Sequence, residues 1–153
     1  MTIWVDADAC PRPVKELLFK TAVRKHIPLV LVANQPLNIP LSHWIKQWQV
    51  TSGLDKADEY IIANLAEGDL VITADIPFAH EAVTNGALAL NPRGELYTKT
   101  NINHHLARRN TNEHLRNAFN LNTQNNKLTP KEVHLFANHL DKFLSVARLG
   151  DQP

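Results

Sequence analysis

The chain has 153 residues, of which 44% are apolar and 20% charged, and its net charge is +1. That composition excludes a disordered or fibrous chain and is long enough for one buried core. A single cysteine, Cys10, excludes a disulfide scaffold and any multi-cysteine zinc site.

No apolar run approaches the ~20 residues needed to cross a bilayer. Met1-Thr2-Ile3-Trp4 also lacks the basic start of a secretory signal. The expected location is the cytoplasm, with no membrane partner. Charge is unevenly spread: residues 1–92 hold seven Lys/Arg against ten Asp/Glu, and residues 93–153 hold nine against five. An acidic front and a basic back suit a metal-bearing site beside a surface that attracts polyanions. Ordinary solvated helix faces produce the same imbalance.

In chain order, residues 2–6 predict a strand. Pro11 to Lys25 predicts a helix, with Val14, Leu17, Leu18 and Ala22 on one face and proline at its start. Leu29 to Ala33 is a continuous apolar strand, expected to be covered on both faces. Residues 41–46 predict a short helix and 47–51 a third strand. Leu54 to Leu65 predicts a helix with Ala57, Ile61, Ile62 and Leu65 inward. Gly68-Asp69 turns the chain into a strand at 70–74. Ile76 to Asn85 is a helix stopped by Gly86, and 87–90 a fifth strand. This alternation predicts an α/β fold with a mostly parallel sheet and helices on both faces.

After residue 92 the pattern changes. Asn91-Pro92-Arg93-Gly94 predicts a turn, residues 101–119 a polar helix, and 120–127 an irregular loop. Thr129-Pro130-Lys131-Glu132 is a capping box opening a helix to about Arg148, with Val133, Phe136, Ala137, Leu140, Phe143 and Leu144 inward. There is no repeat and no boundary. The reading is one domain, with an α/β core over 1–92 and C-terminal helices over 93–153 packed on it.

Carboxylates recur where the apolar strands end: Asp6 and Asp8 after the first, Asp55 and Asp58 near the third, and Asp75 after the fourth. Strands of a parallel sheet gather their C-terminal ends at one edge, where ligands bind. Each acid has a structural explanation as a cap or turn residue. Together they suit a hard divalent cation, Mg²⁺ or Mn²⁺, with oxygen ligands. Such a site suits phosphoryl chemistry. Asn34, Ser52 and Thr73 are placed to orient water or phosphate. Arg93, Arg108 and Arg109 are candidate phosphate contacts. Cys10 reads as an inert small residue. His104 and His105 are adjacent, and His134 and His139 are five apart, so no zinc motif forms. Trp4 reads as core. Trp44 and Trp48, four apart, read as core or as a stacking platform for bases.

Several longer runs carry a resemblance. They are Trp-Val-Asp-Ala-Asp-Ala-Cys-Pro (4–11), Leu-Val-Ala-Asn-Gln-Pro (31–36), Asp-Leu-Val-Ile-Thr-Ala-Asp-Ile-Pro (69–77), Ala-Leu-Asn-Pro-Arg-Gly-Glu-Leu-Tyr-Thr (89–98) and Phe-Ala-Asn-His-Leu-Asp (136–141). In that order they resemble the YaiI/YqxD family, which is similar to PIN-like domains and so to metal-dependent nucleases. The resemblance implies a three-layer α/β/α fold with an acidic pocket at Asp6, Asp55 or Asp58, and Asp75. One departure is Asn110, where an acid is expected after the Arg-Arg pair.

The leading expectation is a Mg²⁺/Mn²⁺-dependent nuclease acting on RNA, with Asp6 and Asp75 as main ligands and Asp8, Asp55 and Asp58 completing the shell. One alternative is a phosphatase of the haloacid dehalogenase type using Asp6 and Asp8. Another is a non-catalytic RNA-binding module. A homo-oligomer is compatible with all three.

Overall fold

The computed structural model describes residues 1–51, 56–98 and 128–150. In chain order the elements are β1 (Ile3–Asp6), α1 (Arg12–Lys25), β2 (Leu29–Ala33), β3 (Ile45–Gln49), α2 (Lys56–Asn64), β4 (Leu70–Ile72), α3 (Ile76–Thr84), β5 (Leu88–Leu90), β6 (Leu96–Tyr97) and α4 (Pro130–Gly150). A single 3₁₀ turn, Ala7–Ala9, joins β1 to α1. The six strands form one sheet in the order β3-β2-β1-β4-β5-β6. The first five are parallel, and β6 runs antiparallel to β5.

Alternation along each strand creates the layers, because successive side chains point to opposite faces. Ile3, Val5, Leu29, Leu31, Leu70 and Ile72 face one way, onto Val14, Leu18 and Ala22 of α1 and Phe136, Leu140 and Leu144 of α4. Trp4, Val32 and Val71 face the other way, onto Ile61 of α2 and Phe78 and Ala82 of α3. The result is the expected α/β/α arrangement, with the sheet covered on both faces.

The boundaries shift in places. No helix forms at 41–46. Trp44 N donates to Ser42 Oγ (3.2 Å) in a tight turn, and Leu29 N donates to Trp44 O (2.8 Å). Pairing with β2 then captures Ile45 to Gln49, so the strand starts two residues earlier than expected. Cross-strand hydrogen bonds override a weak local helical preference there. β4 ends at Ile72, and β6 was unanticipated because two residues carry no periodic signal. The expected helix at 101–119 and loop at 120–127 lie outside the described residues.

The predicted turn at 91–94 docks on α4. Gly94 adopts φ +95°, and a Cβ there would meet Leu135 Cγ at 2.8 Å and Phe136 N at 2.9 Å. Its carbonyl lies 2.6 Å from His139 Nδ1. The Arg93 guanidinium spans both Glu132 oxygens at 2.9 and 3.0 Å. At the other edge of the sheet, buried Asp69 accepts from Thr2 N, Trp4 Nε1 and Ala66 N at 2.9–3.0 Å, joining the starts of β1 and β4.

Candidate functional site

In a parallel sheet, ligands sit outside the carboxyl ends of the strands, at the point where the strand order reverses. Here that point lies between β1 and β4, since the chain winds outward from β1 to β3 and resumes on the far side with β4. Asp6 is the last residue of β1. Thr73 and Asp75 follow β4, with Asp75 capping α3 through its bond from Phe78 N (3.1 Å).

A polar cleft of about 150 Å³ opens at this place, lined by Asp6, Asp8, Asn34, Lys56, Asp58 and Asp75, with Val50 and Ala57 beneath. Four of the five acids singled out from the sequence therefore meet. Asp55 and Ser52 lie outside the described residues, as do Arg108 and Arg109. Local hydrogen bonds hold Asp6, Asp8 and Asp75. Asn34 N donates to Asp8 Oδ2 (3.0 Å). Thr73, 1% exposed, donates its hydroxyl to Asp6 Oδ2 (3.3 Å) and accepts from Asp75 N (3.0 Å). One buried hydroxyl thus links the Asp6 carboxylate to the backbone of Asp75.

Burial pushes the Asp6 carboxyl up to a pKa of about 6. The Thr73 hydrogen bond opposes this, and Asp75 and Asp8 raise it further. The donor set is oxygen only, which fits a hard cation such as Mg²⁺ or Mn²⁺. Among the described residues no three acid, histidine or cysteine groups already converge on one metal-sized point. A cation held here would keep water in much of its shell, as Mg²⁺ commonly does.

The remaining candidates fall elsewhere. Arg93 does not line the cleft, and its guanidinium sits on Glu132 at the α4 start. Cys10 is buried, and burial raises its thiol to about 12, so it is no nucleophile at neutral pH. Trp4 is core, as expected. Trp44 and Trp48 do not form one platform: Trp44 stacks on His26 (centroids 5.2 Å) beside the α1-side core, while Trp48 stacks on Tyr60 of α2. Lys56 was missed from the sequence. It is one lysine among many solvated ones, and only folding sets it against the acids.

Comparison with known proteins places this cleft in a lineage. A family model described as "Uncharacterized BCR, YaiI/YqxD family" matches residues 4–146. The chain belongs to the YaiI/YqxD family. Similar relatives include a UPF0178 protein of Maridesulfovibrio salexigens, 53% identical over 145 residues, covering 95% of this chain and 96% of the relative. Another, from Shewanella sp. strain ANA-3, is 53% identical over 142 residues, covering 93% and 95%. A third, from Psychromonas ingrahamii, is 49% identical over 148 residues, covering 97% and 98%. No solved structure matches the chain. The YaiI/YqxD match spans every acid of the cleft, from Asp6 to Asp75.

Proposed function

We propose that this YaiI/YqxD protein is a divalent-metal-dependent phosphodiesterase acting on RNA, with the cleft as its active site. The observation that carries the reading is the gathering of Asp6, Asp8, Asp58 and Asp75 in one small polar cleft at the sheet's switch point. Clustered carboxylates at a ligand edge repel one another, and a bound cation is the simplest compensation. The resemblance to PIN-like nucleases agrees with this chemistry.

Asp6 and Asp75 would hold the cation directly, with Asp8 and Asp58 holding its waters. When bound, Mg²⁺ or Mn²⁺ supplies Lewis-acid polarisation of the phosphodiester and a more acidic water. Thr73 fixes the Asp6 oxygen that faces it and, through Asp75 N, the start of α3. The Lys56 ammonium, which lines the cleft and pairs with Glu59 at 3.7 Å, would offset phosphate charge as the substrate enters. Asp8, held by Asn34 N, would take a proton from an attacking water.

The test is Mn²⁺ titration by calorimetry alongside RNA cleavage. Asp6→Asn and Asp75→Asn are expected to abolish both with the fold intact. Thr73→Val is expected to weaken metal affinity by about 10–100-fold, the usual cost of removing a partner that orients a ligand. Unchanged cleavage in Asp6→Asn would overturn the assignment. An aspartyl-phosphate trapped on Asp6 would redirect it to a phosphatase. RNA binding without turnover would redirect it to a binding module.

A further inference from the structure

The cleft has two unlike flanks, divided by α2. Toward α3 lies a crevice of about 640 Å³ carrying Asp58, Glu59, Asp75 and Glu81. Its charge repels a polyanion. Toward β3 lie Lys46, Trp48, Lys56 and Tyr60. Sheet register places them: Lys46 is level with Val30 and Trp48 with Val32. Val32 belongs to the core beneath α2, so both β3 side chains stand on the α2 face. β3 is an edge strand of the sheet, and Trp48 is 49% exposed there.

Trp48 is nonetheless held in place. Its ring lies 4.9 Å from that of Tyr60, with an interplanar angle of 11°. Tyr60 is braced in turn against Trp4, edge-on at 6.3 Å. Each member of the pair is close in the chain to a residue that lines the cleft. Val50, two residues beyond Trp48, and Lys56, one helical turn before Tyr60, each line it. Two extended residues advance about 7 Å, so the indole stands about one nucleotide step from the Val50 side of the cleft. Lys46 and Lys56, both exposed, add positive charge on this side, Lys46 two residues before Trp48 on the same strand face and Lys56 in an ion pair with Glu59 at 3.7 Å.

We propose that Trp48, backed by Tyr60, is a stacking platform for a nucleobase of single-stranded RNA whose adjoining phosphate enters the acidic cleft. The phosphate's position rests on the phosphodiesterase reading, whereas the stacking is testable without turnover. A half-exposed indole already ordered by a tyrosine offers a flat apolar face at little entropic cost, and every base has a face to match it. Bases within a duplex are stacked on each other, so the platform selects single strands. Lys46 and Lys56 add attraction for the backbone that weakens with salt.

The experiment measures binding of a short fluorescein-labelled, uridine-rich RNA by anisotropy, in EDTA, in the Asp6→Asn background, beside the same strand annealed to its complement. Trp48→Ala is expected to weaken single-strand binding by about tenfold or more. Trp48→Phe should retain most of the affinity, and duplex binding should be weaker and insensitive to both changes. Unlabelled single strand should quench intrinsic tryptophan fluorescence, and that quench should disappear in Trp48→Phe. Equal affinity in Trp48→Ala, or an undiminished quench in Trp48→Phe, overturns the platform. If Trp48→Ala placed in the otherwise wild-type chain also leaves Mn²⁺-dependent cleavage unchanged, the platform falls and the phosphodiesterase stands. If binding needs Trp48 but the wild-type protein cleaves nothing, the platform stands and the phosphodiesterase falls. Failure of the wild-type protein to bind single strands overturns both.

Discussion

Asp6 is a carboxyl held against its own preference. Its carboxyl is raised from 3.8 to about 6 by burial first, then by Asp75 and Asp8. Between pH 4 and 6 the folded chain binds more protons at this group than the unfolded chain does. Its contribution to stability is therefore complete below pH 4 and is lost as pH rises through about 6. A rise of about two pKa units corresponds to at most ~3 kcal/mol. In EDTA at pH 7.5, Asp6→Asn is expected to raise the unfolding free energy by up to about that amount, and the gain should vanish near pH 4. Urea unfolding of both proteins across this range checks it, and equal stability at pH 7.5 would refute the stored repulsion. On the proposed reading the same variant is expected to lose metal binding, so stability and function would trade at one residue.

Asp69 is a carboxylate of the opposite kind. It is 6% exposed and accepts three hydrogen bonds that tie β1 to the approach of β4. Removing it strands the Trp4 indole N–H and two backbone N–H groups. Asp69→Ala is expected to cost about 3–4 kcal/mol in chemical unfolding without changing Mn²⁺ affinity in the folded protein. In the sequence, Asp69 and Asp75 flank the same apolar strand and look alike. Only the sheet's direction tells them apart: one lies at the amino edge and the other at the carboxyl edge.

At the level of elements, the turn at 91–94 and the start of α4 form one unit. Thr129 and Glu132 make the expected capping box: Glu132 N donates to Thr129 Oγ1 (3.1 Å), and Thr129 N donates to Glu132 Oε1 (3.0 Å). The Thr129 backbone bond first, and Arg93 after it, lower the Glu132 carboxyl below its usual range. The capping motif was legible because its spacing is local. Arg93's attachment to Glu132, 39 residues away, was not, and the arginine read as a phosphate contact. Gly94 is the close-approach point of this unit. Gly94→Ala pays both for a positive φ and for a Cβ against Phe136 N. It is expected to destabilise by about 2–3 kcal/mol in thermal unfolding. A loss below ~0.5 kcal/mol would show that the turn does not dock as described.

For the whole molecule, the order of strands decides where chemistry is possible. β1 is central, flanked by β2 and β4, so the residues after it and after β4 share one crevice. α2 then divides that crevice's surroundings into an acidic side and a side with lysines and an exposed indole. On the proposed reading, a single-stranded polyanion would approach from the β3 edge.

By itself, the sequence determined the period of each apolar run and hence the α/β class, the parallel core and the covered faces. It also placed Asp6, Asp8, Asp58 and Asp75 near strand ends, and its longer motifs identified the family. These are local properties, set by side-chain spacing of two or near four residues. Tertiary structure decided the rest, because it depends on contacts between residues far apart in the chain. Pairing with β2 turned 45–46 into strand rather than helix. The same sheet sent Trp44 and Trp48 to different neighbours, gave Arg93 to Glu132, and brought Lys56 to the acids. Burial at the switch point, which no spacing records, raised the pKa of the Asp6 carboxyl.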